Sequence, residues 1–188
     1  MSLNLPEAEL MKNEQKKSIK PYGTWQSKIS AELIAQATPG LSSLRNFNDT
    51  LFWVESRPWE GGRNVIMCQH KDGKISDVLP APFSHQSKVH EYGGTAFTID
   101  NGTLYFVNAS DQRIYATHLE SKSIPKALTP DGNWRFADLV VDQKNQRLIA
   151  VCEEHSSEKD PQNYIASISL TTIAVSYTHL TLPTILRV

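Results

Sequence analysis

The chain is poor in cysteine, in any excess of charge of one sign, and in long apolar runs. Its two cysteines, Cys68 and Cys152, cannot build a disulfide framework or a zinc site of their own. Each sits inside an apolar run, where a free thiol behaves as a small buried hydrophobe. The 19 Lys+Arg and 20 Asp+Glu leave a formal net charge of −1. A nucleic-acid or anionic-membrane binder would carry a basic footprint instead, so neither partner is expected. No stretch reaches the roughly 18 apolar residues of a membrane span. Residues 1–20 lack the apolar centre of a signal peptide, which points to the cytoplasm. The sequons at Asn48, Asn101 and Asn108 are then chance matches. A Gly-x-Ser-x-Gly elbow is also missing, and with it an α/β-hydrolase nucleophile. So are a Walker loop and a Gly-x-Gly-x-x-Gly run, and no cofactor is expected.

What remains is ordinary globular material. The 39% hydrophobic residues together with nine glycines approach the globular norm of about 45–50% apolar. The 188 residues suit one domain or part of a larger one. Residues 1–20 read as a polar flexible tail in which Lys12, Lys16, Lys17 and Lys20 interleave with Asn, Gln and Glu, and either Met1 or Met11 can be the start. Ser30–Gln36 is a short helix candidate, with Ser30 as N-cap and Gly40 past its end.

After Leu41 the pattern becomes short β-branched and aromatic runs broken by Asp-Gly, Asn-Gly and Gly-Gly pairs. These runs repeat. Thr50–Glu55, Thr103–Asn108 and Arg147–Cys152 superimpose without gaps, their leucines (Leu51, Leu104, Leu148) lying 53 and 44 residues apart. A second set follows each at Arg63–Ile66, Gln112–Tyr115 and Gln162–Ile165. A third precedes each at Ser43–Phe47, Thr95–Ile99 and Ala137–Val141. A fourth occurs twice, at Val78–Pro80 and Ala127–Pro130. Four strands per unit at this period is the signature of a propeller blade. In Leu51–Val54 and Leu104–Val107 period-two alternation is lost, as it is in a sheet packed between two neighbours. The expected fold is therefore all-β: a partial β-propeller of about three four-stranded antiparallel blades, forming an incomplete ring. Propellers close with about 4–8 blades, so either other chains complete the ring or this chain is incomplete. Open apolar faces around Leu148–Val151 and Tyr164–Ile165 would then favour self-association.

Val175–Thr184 (VSYTHLTLPT) resembles one reading frame of a transposon adapter used in sequencing libraries. Residues 175–188 are read as an artefactual tail, and His179 is set aside as a catalytic candidate. The propeller part is assigned to residues 21–174.

Among the remaining residues, His85 and His90 are five apart, a spacing that suits neither one helix face nor one strand face, and no metal site is expected. Glu153-Glu154 follow a strand and read as a solvated loop start. His90-Glu-Tyr-Gly-Gly94 is the most distinctive segment. Gly93 and Gly94 suit a turn beside a crowded axis. His90, Glu91 and Tyr92 are the candidate channel or substrate contacts, because strand ends at a channel carry function.

Many short motifs then fall in a recognisable order: Pro21-Tyr-Gly-Thr-Trp-Gln-Ser27, Leu44-Arg45, Val54-Glu-Ser-Arg57, Glu60-Gly-Gly-Arg-Asn64, Val78-Leu-Pro-Ala-Pro82, His90-Glu-Tyr-Gly-Gly94. Tyr105-Phe-Val-Asn108, Asp111-Gln-Arg113, Leu128-Thr-Pro130, Trp134-Arg135 and Ala137-Asp-Leu-Val-Val-Asp142 continue it. Together they resemble the prolyl oligopeptidase family of serine peptidases, in its bacterial acylaminoacyl-peptidase and dipeptidyl-aminopeptidase-like branch. The resemblance implies an N-terminal propeller that gates access of short peptides to a C-terminal α/β-hydrolase domain with a Ser-Asp-His triad. Only the propeller's first part matches, so no catalytic residue is carried over and the chain alone is expected to be inactive. Some relatives grip a peptide's amino terminus with propeller glutamates, but the sequence around Glu153-Glu154 does not match theirs and no role is transferred. The competing reading is a stand-alone propeller that binds or scaffolds without chemistry, which further blades lacking a nucleophile elbow would reveal.

Overall fold

The computed structural model describes residues 19–25, 27–31, 38–95, 97–121, 123–155, 160–171 and 175–179. The chain divides into two units, 1–36 and 37–188. In the first, the Thr24 amide and hydroxyl both donate to the Pro21 carbonyl at 3.2 and 2.7 Å. The rings of Tyr22 and Trp25 meet edge-on at 6.2 Å. The helix expected over Ser30–Gln36 lies mostly outside the described residues.

Among the described residues the second unit holds twelve strands: β1 (Gly40–Phe47), β2 (Thr50–Arg57), β3 (Arg63–Gln69), β4 (Ile75–Asp77), β5 (Phe97–Asp100), β6 (Thr103–Val107), β7 (Ile114–His118), β8 (Lys126–Ala127), β9 (Trp134–Asp142), β10 (Arg147–Glu154), β11 (Gln162–Ser169) and β12 (Val175–His179). They form three four-stranded antiparallel sheets in meander order, β1-β2-β3-β4, β5-β6-β7-β8 and β9-β10-β11-β12. This is a partial propeller of three blades. Among the described residues no helix is long and apolar enough to cross a membrane.

Turn chemistry sets the hairpins. Asn48 and Asp49 join β1 to β2 at φ 48° and 58°, and Asn101-Gly102 join β5 to β6 at φ 43° and 73°. Left-handed central residues match the right-handed twist of paired strands, which is why Asn, Asp and Gly stand there. Between β9 and β10 the Asp142 carboxylate accepts the Asn145 amide and anchors a short 3₁₀ turn.

The middle sheet explains the lost alternation. Leu104 and Phe106 of β6 enter one core with Phe52, Val54, Ile66, Leu79 and Phe97. Tyr105 and Val107 enter a second core with Phe136, Leu139, Leu148, Ala150, Cys152, Ala166 and Ile168. Every β6 side chain from Leu104 to Val107 is thus buried, because a sheet lies on each side. Among the described residues of this unit, the outer two sheets are covered on one face only. Leu41 (69% exposed) and Leu51 (39%) mark the open face of the first sheet, and Val140 (60%) that of the third. The open face expected over Leu148–Val151 is therefore narrower than the sequence implies. Leu148 and Ala150 point into the second core, and only the alternate residues Ile149 and Val151 are left half-buried.

The repeat pattern leaves the third unit without a fourth strand. In the structure Val175–His179 takes that place, pairing with β11 from Ile168↔Val175 to Tyr164↔His179. A β-prone Val-Ser-Tyr-Thr segment of any origin pairs in this way at an open sheet edge.

Candidate functional site

The segment from Val78 to Thr95, which links the first sheet to the second, passes over the ends of β9 and β10. Buried Val89 pins its tight turn at Val89–Glu91, whose backbone is not helical. Gln112 clamps the approach, accepting the Lys88 amide at 2.8 Å and donating to the Gln86 and Ala109 carbonyls at 3.2 and 3.0 Å. His90 and Glu91 follow with φ of 51° and 63°. Two successive non-glycine residues in the left-handed region cost about 1–3 kcal/mol each and need compensation from their surroundings.

Glu153 supplies it. This carboxylate is only 5% exposed. Its Oε2 accepts the His90 amide at 3.2 Å and faces His155 Nε2 at 2.8 Å, and its Oε1 lies 3.3 Å from His90 Nδ1. Burial opposes its ionisation. The hydrogen bonds from His155 and the His90 amide, with the charges of both histidines, outweigh that and hold the carboxyl below its ordinary value.

Arg135 stands opposite Glu153 in the β9–β10 register. Its Nη1 donates to the Lys88 carbonyl at 2.9 Å and to Glu91 Oε1, and lies 3.8 Å from Glu153 Oε2. The guanidinium keeps Glu91 below the usual carboxylate range. Two carboxylates thus share one arginine, and the imidazoles of His90 and His155 lie against Glu153. A polar cavity of about 420 Å³ opens beside them, lined by Asp111, Gln112, Asp131, Trp134, Arg135 and His155.

Two glycines complete the bend. Gly93 has φ +77°, and a Cβ there would stand 2.7 Å from the Ser87 carbonyl oxygen. At Gly94 a Cβ would meet Ala137 Cβ at 3.0 Å and Asp138 Oδ1 at 3.2 Å. The crowding arises because the segment joins β9 here: Thr95 N donates to Asp138 Oδ1 at 3.0 Å, and Asp138 N to the Thr95 carbonyl at 2.7 Å.

No protein-family model and no curated protein matches the chain. Solved structures do. A puromycin-hydrolyzing peptidase of Mycobacterium tuberculosis is 31% identical, with TM-score 0.73 over 82% of this chain and 25% of that one. A crystal structure of puromycin hydrolase is also 31% identical, with TM-score 0.72 and the same coverage. A point mutant of puromycin hydrolase complexed with PGG matches at 31% identity and TM-score 0.71, over 81% of this chain and 25% of that one. These neighbours are peptidases of the prolyl oligopeptidase family, and the chain matches a propeller segment of them in sequence and fold. It spans about a quarter of the length of the structures it matches.

Within this propeller segment, the structure brings His90 and Glu91 together with Glu153, while Tyr92 stands outside the cluster and 95% exposed. Strand alternation separates the two glutamates read as one solvated pair. Glu153 turns into the cluster, and Glu154, half-buried, takes the opposite face. His85 does not pair with His90. It is buried with its ring edge-on to Phe97 at 5.3 Å, and burial alone lowers its pKa to about 4. Arg135 and His155 are functional candidates that the sequence reading passed over. In the sequence Trp134-Arg135 stands out only through the family resemblance, although an arginine opening a strand beside one that ends in Glu-Glu is a usable signal. Cys152, pushed up to about 12 by burial and then by Glu154 and Glu153, is a structural thiol.

Proposed function

We propose that this propeller segment gates and lines the substrate path of a cytoplasmic serine peptidase that cleaves short peptides and aminoacyl amides, by acyl transfer to a serine outside this chain. The observation that carries this reading is the likeness to puromycin-hydrolyzing peptidases in sequence as well as fold. The cluster of His90, Glu91, Arg135, Glu153 and His155 is the part of the segment suited to meet substrate. Its carboxylates accept N–H donors, its guanidinium donates to a carbonyl, and the adjoining cavity admits a peptide-sized group. Tyr92, exposed beside it, offers an aromatic face. Gly93 and Gly94 serve the path indirectly by letting the His90–Tyr92 turn lie against β9.

The test is the authentic reading frame past residue 174. It should continue in units of about 45 residues and then switch to alternating strands and helices with a Gly-x-Ser-x-Gly elbow. Its product should hydrolyse short aminoacyl and peptidyl chromogenic substrates, and Glu91→Gln should raise KM more than it lowers kcat. A frame of further blades without an elbow, or a full product inert to such substrates, overturns the reading and leaves a binding propeller.

A further inference from the structure

A second cluster lies away from that site, on the β3–β4 hairpin of the first sheet. Cys68 and Ser76 are directly opposed across the two strands. His70 stands two residues after Cys68, so all three side chains share one face. The turn beyond is tied by His70 N to the Lys74 carbonyl and Gly73 N to the His70 carbonyl, both at 2.9 Å. The hairpin backbone therefore fixes the positions from which the three side chains project.

Their polar atoms form a nearly equilateral triangle. Cys68 Sγ lies 3.4 Å from His70 Nε2 and 3.3 Å from Ser76 Oγ, and Nε2 lies 3.2 Å from Oγ. Protons alone do not fill this triangle. If Nε2 is bare, the thiol and hydroxyl supply two protons for three contacts. If Nε2 is protonated it cannot accept, so again one contact has no linear hydrogen bond of its own. A cation that replaces the thiol proton meets all three lone pairs at once. The size is also right. Around a tetrahedral zinc ion, with Zn–S of about 2.3 Å and Zn–N or Zn–O of about 2.0–2.1 Å, neighbouring donors stand about 3.4–3.6 Å apart. Each observed edge is within a few tenths of an ångström of that.

Cys68, His70 and Ser76 all line a cavity of about 770 Å³, so a fourth ligand has room to enter. Of the nearby charges, Asp77 is engaged by Arg57 and Arg63, and Lys71 by Asp49. Among the described residues no group of three His, Cys, Asp or Glu is placed to hold a metal ion, and here the serine hydroxyl supplies the third donor. We propose that Cys68, His70 and Ser76 form a binding site for a thiophilic divalent d-block cation, zinc above all, with a fourth position open to the cavity. Thiolate and imidazole together select such ions over magnesium or calcium.

The test uses the full chain, stripped with a chelator under reducing conditions and titrated with Co²⁺ and then Zn²⁺. Co²⁺ should give a thiolate-to-metal charge-transfer band at one equivalent that Zn²⁺ abolishes. Cys152→Ser should keep the band and Cys68→Ser should lose it. His70→Ala should weaken binding by at least about tenfold, the scale on which even supporting groups act in metal sites. Zn²⁺ should also slow alkylation of Cys68 in the unaltered chain, a reading that does not depend on any variant folding. No band in the unaltered chain, a band surviving in Cys68→Ser, binding indifferent to His70→Ala, or alkylation of Cys68 untouched by Zn²⁺ overturns the proposal.

Discussion

His90 and Glu153 lie 63 residues apart yet meet at two polar groups of the histidine, the amide on Oε2 at 3.2 Å and Nδ1 on Oε1 at 3.3 Å. The contact ties a left-handed turn to the end of β10, so the turn's geometry depends on one buried carboxylate. Glu153→Ala should cost about 1.5–3 kcal/mol, the range for hydrogen bonds to a charged group, and should raise amide exchange at Lys88–Glu91. The sign of the pH effect follows from the depressed carboxyl. Its stabilisation is present above the ordinary value of 4.5 and is lost as pH falls through the lower folded value. Denaturant melts of the unaltered chain and Glu153→Gln should differ at pH 7 and converge in acid. A constant difference down to the lowest pH would rule out an ionised Glu153.

The glycines of the same bend make a graded test. Gly93→Ala combines a φ of +77° with a 2.7 Å approach to the Ser87 carbonyl, whereas Gly62→Ala has φ +80° and nothing within 4 Å of the new methyl. Left-handed strain alone costs about 1–2 kcal/mol. Gly62→Ala should lose about that much in a denaturant melt and Gly93→Ala distinctly more. Equal losses would mean that the Ser87 backbone yields freely.

How much of this was legible beforehand differs from element to element. The burial of β6 on both faces could be read directly, since four consecutive apolar residues, Leu104–Val107, have no solvent side. The hairpins could be read from Asn48-Asp49 and Asn101-Gly102, because turn chemistry is local. The pairing of Arg135 with Glu153 could not. It depends on the register of β9 against β10, which shifts between Ile149 and Val151, and a shift of one residue exchanges the faces. His90 and Glu91 were visible as candidates, but their partners come from strands about 45 and 60 residues downstream. The Cys68–His70–Ser76 triangle was equally hidden, since Cys-x-His is no metal motif and its third member comes from the opposing strand.

His85 provides the clearest pH prediction. Burial lowers its pKa from 6.5 to about 4, and among the described residues no partner satisfies its Nδ1. The unfolded chain therefore takes up a proton near pH 6.5 that the folded chain refuses, so stability falls as pH drops through that window. The expected loss between pH 7 and pH 5 is about 2 kcal/mol. His85→Leu should remove most of that slope in urea titrations. An unchanged slope would mean that His85 is not the group being protonated.

The last prediction concerns the open faces. The first sheet's outer side carries Leu41, Leu51 and half-buried Trp53, and the third's carries Val140, Ile149 and Val151. Burying each such side chain contributes about 1.5–3 kcal/mol, so a few of them rival a domain's net stability of about 5–15 kcal/mol. The β1, β4 and β8 edges are poor alternatives for association. β1 is broken by an irregularity between Ser42 and Arg45, and β4 and β8 have three and two residues. Bulges and short strands are the features that blunt an edge. Contact should therefore run face to face, the first sheet of one copy on the third sheet of another. Two such contacts join six blades, a number inside the range of about 4–8 at which propellers close. Light scattering after gel filtration should find a concentration-dependent dimer, and Leu41→Glu with Leu51→Glu should return it to monomer without changing the far-ultraviolet spectrum. A chain that stays monomeric at high concentration and melts in one sharp transition would show that these faces hold without a cover.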